Sequence, residues 1–117
     1  MKIFDSELKV MEELWAEGTL SAGQLAKRLQ EKVGWNRNTT YTVVKKLIDK
    51  GAVERQEPGF LCSSLVSREE VQRSEADDLV EKLFGGSPER FLSAYLGGRT
   101  LTPEEHARLR ALVDSLE

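Results

Sequence analysis

Glycines at positions 18, 34 and 51 divide the first half of the chain into three stretches, each with apolar residues at helical spacing. A glycine just beyond such a pattern ends a helix readily, because without a Cβ it accepts the left-handed conformation that closes the last turn. Three short helices in succession are therefore expected. In "FDSELKVMEELWAEG" the stripe is Phe4, Leu8, Met11, Leu14 and Trp15, with Asp5 and Ser6 as candidate caps. In "TLSAGQLAKRLQEKVGW" Ser21 and Gln24 have the spacing of a capping box, and Leu25, Ala26, Leu29 and Val33 form the buried side. The third helix starts at Asn36, a good N-cap, and buries Val43, Val44, Leu47 and Ile48.

After Gly51 the period changes. Ala52 to Arg55 reads as a brief extended run, Glu57-Pro58-Gly59 as a turn, and Phe60 to Val66 as a second run. Three helices followed by a hairpin is the order of a winged helix, in which the third helix reads DNA and the hairpin flanks it. The fold class expected is mainly α with a small β-hairpin: an N-terminal winged helix-turn-helix over 1–66, followed by C-terminal dimerisation helices over 67–117.

The second half is helical again. Ser67 and Glu70 form a capping box before a long helix through Val71, Leu79, Val80, Leu83 and Phe84, which Gly85-Gly86 ends. Ser87-Pro88 opens a helix with Phe91, Leu92, Tyr95 and Leu96, and Thr102-Pro103-Glu104-Glu105 opens another with Leu109, Leu112, Val113 and Leu116. Three short helices bury little alone. They need a partner surface, most simply the same segment of a second copy around a two-fold axis. Val71, Leu79, Leu83, Phe84, Phe91, Leu92, Tyr95, Leu96, Leu109, Leu112, Val113 and Leu116 are the residues expected at that contact.

Charge supports a division of labour. The 117 residues carry a net −3, but Met1 to Val66 balance at +1 and Ser67 to Glu117 at −4. Apolar residues make up 39%, and no run approaches the roughly 20 needed to span a bilayer. The opening "MKIFDSELKV" has no apolar stretch or cleavage site of a signal peptide, and the single Cys62 cannot close an intramolecular disulfide. A cytoplasmic protein without a membrane partner is expected.

On the third helix, the side opposite the apolar stripe collects Asn38, Thr42, Lys45, Lys46 and Asp49, flanked by Thr39 and Tyr41. Thr40 falls beside the stripe and is read as structural. Asn and Thr can hydrogen-bond base edges or phosphate, and Lys neutralises phosphate. The helix N-terminus around Arg37 and Asn38 has unpaired N–H groups suited to phosphate. A merely solvated face is the plain alternative, but three threonines in four positions are a poor choice for one. Asn36, Arg37, Asn38, Thr39, Tyr41, Thr42, Lys45, Lys46 and, from the hairpin, Arg55 are the candidate DNA-binding residues.

The run "WNRNTTYTVVKKLIDKG", preceded by "FDSELKVMEELWAEGTLSAGQLAKRL" and followed by "LVSREE" and "LFGGSPERFLSAYL", resembles the penicillinase repressor (BlaI/MecI) family of winged-helix transcriptional regulators. The likeness covers nearly the whole chain and rests on the order and spacing of motifs that are weak singly. It implies a homodimeric repressor on a palindromic operator, reading half-sites through Asn38, Thr39, Thr42 and Lys46, with residues from about Ser67 holding the dimer. Three departures limit the analogy. The wing tip "RQEPGFLCSS" is short and has Glu57 where a cation would help, leaving Arg55 for any phosphate contact. The family's Asn-Phe cleavage bond corresponds here to Ala94-Tyr95, so the same proteolytic switch is not expected. The cysteine cluster of copper-responsive relatives is reduced to Cys62.

Other chemistry is not signalled. His106 sits among carboxylates in a first helical turn, without the convergent ligands a metal site needs. Cys62 has no neighbouring cation or thiol in sequence to activate it. Glu69-Glu70 and Asp77-Asp78 are sequence neighbours that diverge on a helix, and phosphate-loop, nucleophile-elbow and zinc spacings are missing from the sequence. The chain is expected not to be an enzyme and to need no metal or cofactor. The competing function is a winged-helix protein-interaction module that does not bind DNA specifically. The sequence names no upstream sensor.

Overall fold

The computed structural model describes residues 1–116, which form two compact units: Met1–Ala76, and a second from Asp77 onward. The first contains α1 (Asp5–Glu17), β1 (Leu20–Ser21), α2 (Ala22–Val33), α3 (Arg37–Asp49), β2 (Val53–Gln56) and β3 (Leu61–Ser64). The long helix α4 (Arg68–Phe84) runs from the first unit into the second, which also holds α5 (Pro88–Gly97) and α6 (Pro103–Ser115).

The expected punctuation operates. Gly34 takes a left-handed conformation (φ 74°) and its N–H closes onto the carbonyls of Gln30 and Leu29, freeing the chain to turn into α3. Ser21 caps α2 through a complete box with Gln24, and Asn36 caps α3 by accepting the Thr39 N–H. At α1 the expectation fails: the N-cap is Phe4, and Asp5 and Ser6 lie inside the helix. Glu7 does the capping from within, its carboxylate accepting the Phe4 N–H at 2.8 Å.

The sheet has three antiparallel strands in the order β1-β3-β2, with Arg55 and Leu20 both opposite Cys62. β2 is as long as the expected run Ala52 to Arg55 but shifted by one residue, β3 is shorter than the expected run Phe60 to Val66, and β1 was not anticipated. Two residues have no pattern to read; β1 exists because Leu20 and Ser21 pair with Cys62 and Leu61 from the far end of the domain. Thus the wing is stitched to the start of α2.

One core lies among α1, α2, α3 and the sheet: Val10, Met11, Leu14, Leu25, Leu29, Val43, Val44, Leu47, Val53 and Cys62 are buried together. Val71 belongs to this core, so its expected place at a dimer contact is corrected: the first turn of α4 packs it inward. The compact unit accordingly runs past the boundary expected after Val66. The N-terminal ammonium donates to Ser74 and the Ile3 N–H to Glu75, while Trp15 Nε1 donates to the Val66 carbonyl at 2.9 Å.

Two acids of α1, Glu7 and Glu13, are buried. Glu13 receives Arg28 Nε at 2.7 Å and Lys32 Nζ at 2.9 Å, tying α1 to α2. Burial alone would raise its pKa, but the hydrogen bonds and charges of Lys32 and Arg28 outweigh burial and hold it below the ordinary carboxylate value. Glu7 receives Lys50 Nζ at 2.7 Å, tying the start of α1 to the end of α3. Both pairs fix the attitude of the helix that follows the turn.

In the second unit no residue of α5 or α6 is buried. Phe91 meets Phe84 edge-on and stacks on Tyr95, with ring centroids 5.6 and 5.7 Å apart. Leu79, Leu83, Leu92, Tyr95, Leu112, Val113 and Leu116 are exposed, while Leu96 and Leu109 are half-buried.

Candidate nucleic-acid interface

The inner side of α3 is fully committed to the core through Val43, Val44 and Leu47, and Thr40 is buried beside them as expected. The outer side is therefore fixed by default. Asn36, Arg37, Asn38, Thr42, Lys45 and Lys46 are exposed, and Thr39 and Tyr41 lie half-buried at the flanks.

Their hydrogen bonds sort them by what each can still do. Asn36 Oδ1 accepts both the N–H and the hydroxyl of Thr39, at 2.8 and 3.0 Å, so these two residues shape the helix start. Thr42 Oγ1 donates to the Asn38 carbonyl at 2.8 Å, which orients its methyl and leaves its lone pairs outward. Neither Lys45 nor Lys46 forms an ion pair among the described residues, and Asn38 keeps its whole amide available. The face thus offers amide and hydroxyl groups in its first turns and free cations a turn later, an arrangement able to meet base edges and phosphates together.

Arg37 and Arg55 are placed differently. Arg37 donates to the Tyr41 hydroxyl at 2.8 Å, with its guanidinium 5.0 Å from that ring. Tyr41 meets Phe60 of the wing edge-on at 5.6 Å, and Arg55 lies over the other ring of this pair, 3.6 Å from the Phe60 centroid. Glu57 Oε1 accepts from Arg55 Nε at 2.7 Å. A ladder of cation, ring, ring and cation joins α3 to the wing. Phe60 was not among the candidate residues; its position directly after Pro58-Gly59 was the available signal, but its contact with Tyr41 is a tertiary fact.

Cys62 is buried in β3, and burial pushes its thiol upward despite the nearby charge of Arg55, which is the state of an inert strand residue. His106 is exposed on α6. Among the described residues no three His, Cys, Asp or Glu side chains gather as metal ligands, and no helix is long and apolar enough to cross a membrane.

Comparison with known proteins gives a consistent result. The profile of the family described as penicillinase repressor matches residues 3–115. The penicillinase repressor of Bacillus licheniformis is 22% identical over 97% of this chain and 90% of its own length. The methicillin resistance regulatory protein MecI of Staphylococcus aureus strain N315 is also 22% identical, over 97% of this chain and 94% of its own. Among solved structures, the DNA-binding domain of the repressor BlaI superposes with a TM-score of 0.55 at 27% identity, covering 59% of this chain and 87% of that one. The monomeric form of Bacillus licheniformis BlaI in complex with the blaP half-operator gives 0.54 at 26% identity, covering 60% and 88%.

Proposed function

Since the chain belongs to the penicillinase repressor family, we propose that it is a transcriptional repressor that binds a palindromic DNA operator as a homodimer. The observation that carries this reading is the outer face of α3, where Asn38, Thr42, Lys45 and Lys46 stand exposed on a helix whose other face is locked into the core. Asn38 and Thr42 read base edges in the major groove, and Lys45 and Lys46 neutralise flanking phosphates. The monomeric form of BlaI from Bacillus licheniformis has been solved in complex with a half-operator, which supports this reading.

The second unit supplies the dimer. Its helices leave Leu83, Leu92, Tyr95, Leu112 and Val113 in solvent, more apolar surface than three short helices retain without a partner. A second copy around a two-fold axis covers it and sets two reading helices to the two halves of a palindrome.

The test is fluorescence anisotropy of the purified chain on the DNA upstream of its own gene and on a scrambled duplex, at several salt concentrations. Tight binding to the first, two chains per site and a steep salt slope are expected. Equal weak binding to both, by folded dimeric protein and after other genomic fragments had failed, would instead favour a protein-docking module.

A further inference from the structure

The wing contains one cation, Arg55, and that cation is occupied. Across β2, the turn and β3, Arg55 stands with Glu54 and Glu57, so the hairpin as a whole is acidic. Adjacent strand residues point to opposite faces, which separates Glu54 from Arg55. Glu57 is the acid that reaches it. Its Oε1 accepts Arg55 Nε at 2.7 Å, while its Oε2 accepts the Phe60 N–H at 3.1 Å. The guanidinium carbon also lies over the Phe60 ring, 3.6 Å from the centroid. A planar guanidinium prefers a carboxylate or phosphate at its edge and an aromatic ring at its face. Here the Nε and Nη2 edge meets Glu57 from within the turn, and one face meets Phe60.

The site of this pairing gives it consequence. Phe60 packs on Tyr41, which is one turn from Arg37 and flanks the reading face of α3. Arg55 therefore lies beside the surface that a DNA backbone would approach, with the Glu57 carboxylate already at its Nε and Nη2; its side chain is 48% exposed, so an approaching phosphate meets it in competition with that carboxylate. The backbone N–H of Phe60 and the Arg55 guanidinium both hold the Glu57 carboxyl below its ordinary range, so it stays an anion at neutral pH.

We propose that Glu57 is an intramolecular competitor of DNA phosphate for Arg55, making the wing a brace for α3 that adds little attraction to DNA. This rests on the DNA-binding reading of the chain. It assigns the wing's contribution to Phe60 and Tyr41, which hold α3 and the hairpin together, and it makes Glu57 the residue that limits what the wing adds to backbone affinity.

The experiment is a four-way comparison of the full chain, Glu57→Gln, Arg55→Ala and the double variant on operator and scrambled duplexes across a salt series. Glutamine keeps an acceptor for the Phe60 N–H, so the turn is preserved, and circular dichroism checks it. Glu57→Gln is expected to tighten binding to both duplexes by roughly threefold to tenfold and to steepen the salt slope by about 0.9 per wing. Arg55→Ala alone is expected to leave binding nearly unchanged, and the double variant to lose the gain. Three results would each overturn the proposal: no gain in Glu57→Gln, a gain that survives removal of Arg55 and so reflects bulk charge, or a loss in Arg55→Ala as large as for Lys45→Ala. The parent reading fails separately, if the unaltered chain binds its operator no better than the scrambled duplex; a gain through Arg55 on generic DNA would still be measured there.

Discussion

Glu13→Gln isolates the force that seats α2 against α1. The Glu13 side chain is 8% exposed and holds two cations, but unequally: the Arg28 side chain is 32% exposed and Lys32 is 55% exposed. A hydrogen bond to a charged group contributes about 1.5–3 kcal/mol when shielded, and an exposed pair contributes between zero and about 1 kcal/mol. Gln keeps one acceptor, and Arg28 retains Glu17 at 3.1 Å. The loss at pH 7 should then be about 1–2 kcal/mol, or roughly 5–15 °C in Tm for a unit of this size. The pH dependence follows from the depressed pKa of Glu13 in the fold. Its stabilisation is fully present above the unfolded-state value and is lost as pH falls through the lower folded-state value. Urea titrations followed by Trp15 and Trp35 fluorescence, at pH 7 and near pH 3 and at one protein concentration, measure the difference between variant and wild type. A difference that does not shrink at low pH would refute the electrostatic account and leave simple packing. No difference at pH 7 would show that solvent already screens the triad.

Three other outcomes are expected. Lys45→Ala with Lys46→Ala should weaken binding to every DNA sequence and flatten the salt slope, whereas Asn38→Ala or Thr42→Ala should cost about 1–3 kcal/mol only at particular base pairs; all four leaving operator affinity untouched would remove DNA from this face. Lys50→Ala strands the Glu7 carboxylate, whose side chain is 3% exposed, and should destabilise by about 3 kcal/mol in thermal unfolding, with partial recovery when Glu7→Gln is added. Leu83→Glu combined with Leu112→Glu, at positions 65% and 56% exposed, should give a folded monomer in sedimentation equilibrium with much weaker operator binding; a surviving dimer would move the interface elsewhere.

What the sequence revealed and what it hid separate by range. The caps at Ser21, Asn36 and Thr102 are decided within three residues, so the spacing alone located them. The face of α3 was equally legible, because helical period fixes which side Val43, Val44 and Leu47 occupy. Glu7 and Glu13 were not, since their burial depends on Lys50, Arg28 and Lys32 arriving from other helices. Strand β1 depends on pairing with residues some forty positions away, and Phe4 became a cap only because Glu7 reaches back to its N–H. Val71 looked like the other apolar residues of α4. Only the packing of that helix's first turn against the core separates it from Leu79 and Leu83.

The same distinction bears on how a chain of net −3 could hold DNA. Net charge describes the far field, which salt screens within about 10 Å at 0.1 M. Contact is governed by which cations are unpaired, and here pairing sorts them. Arg28, Lys32 and Lys50 serve the fold, and Arg55 is answered by Glu57, whereas Lys45 and Lys46 on α3 stand without an ion pair among the described residues. In the proposed reading, affinity comes from the polar groups of α3 matching base edges and from two copies engaging at once, since the second half-site binds at the high effective concentration set by the first. On this reasoning the exposed apolar residues of the second unit matter to DNA binding as much as the reading helix does.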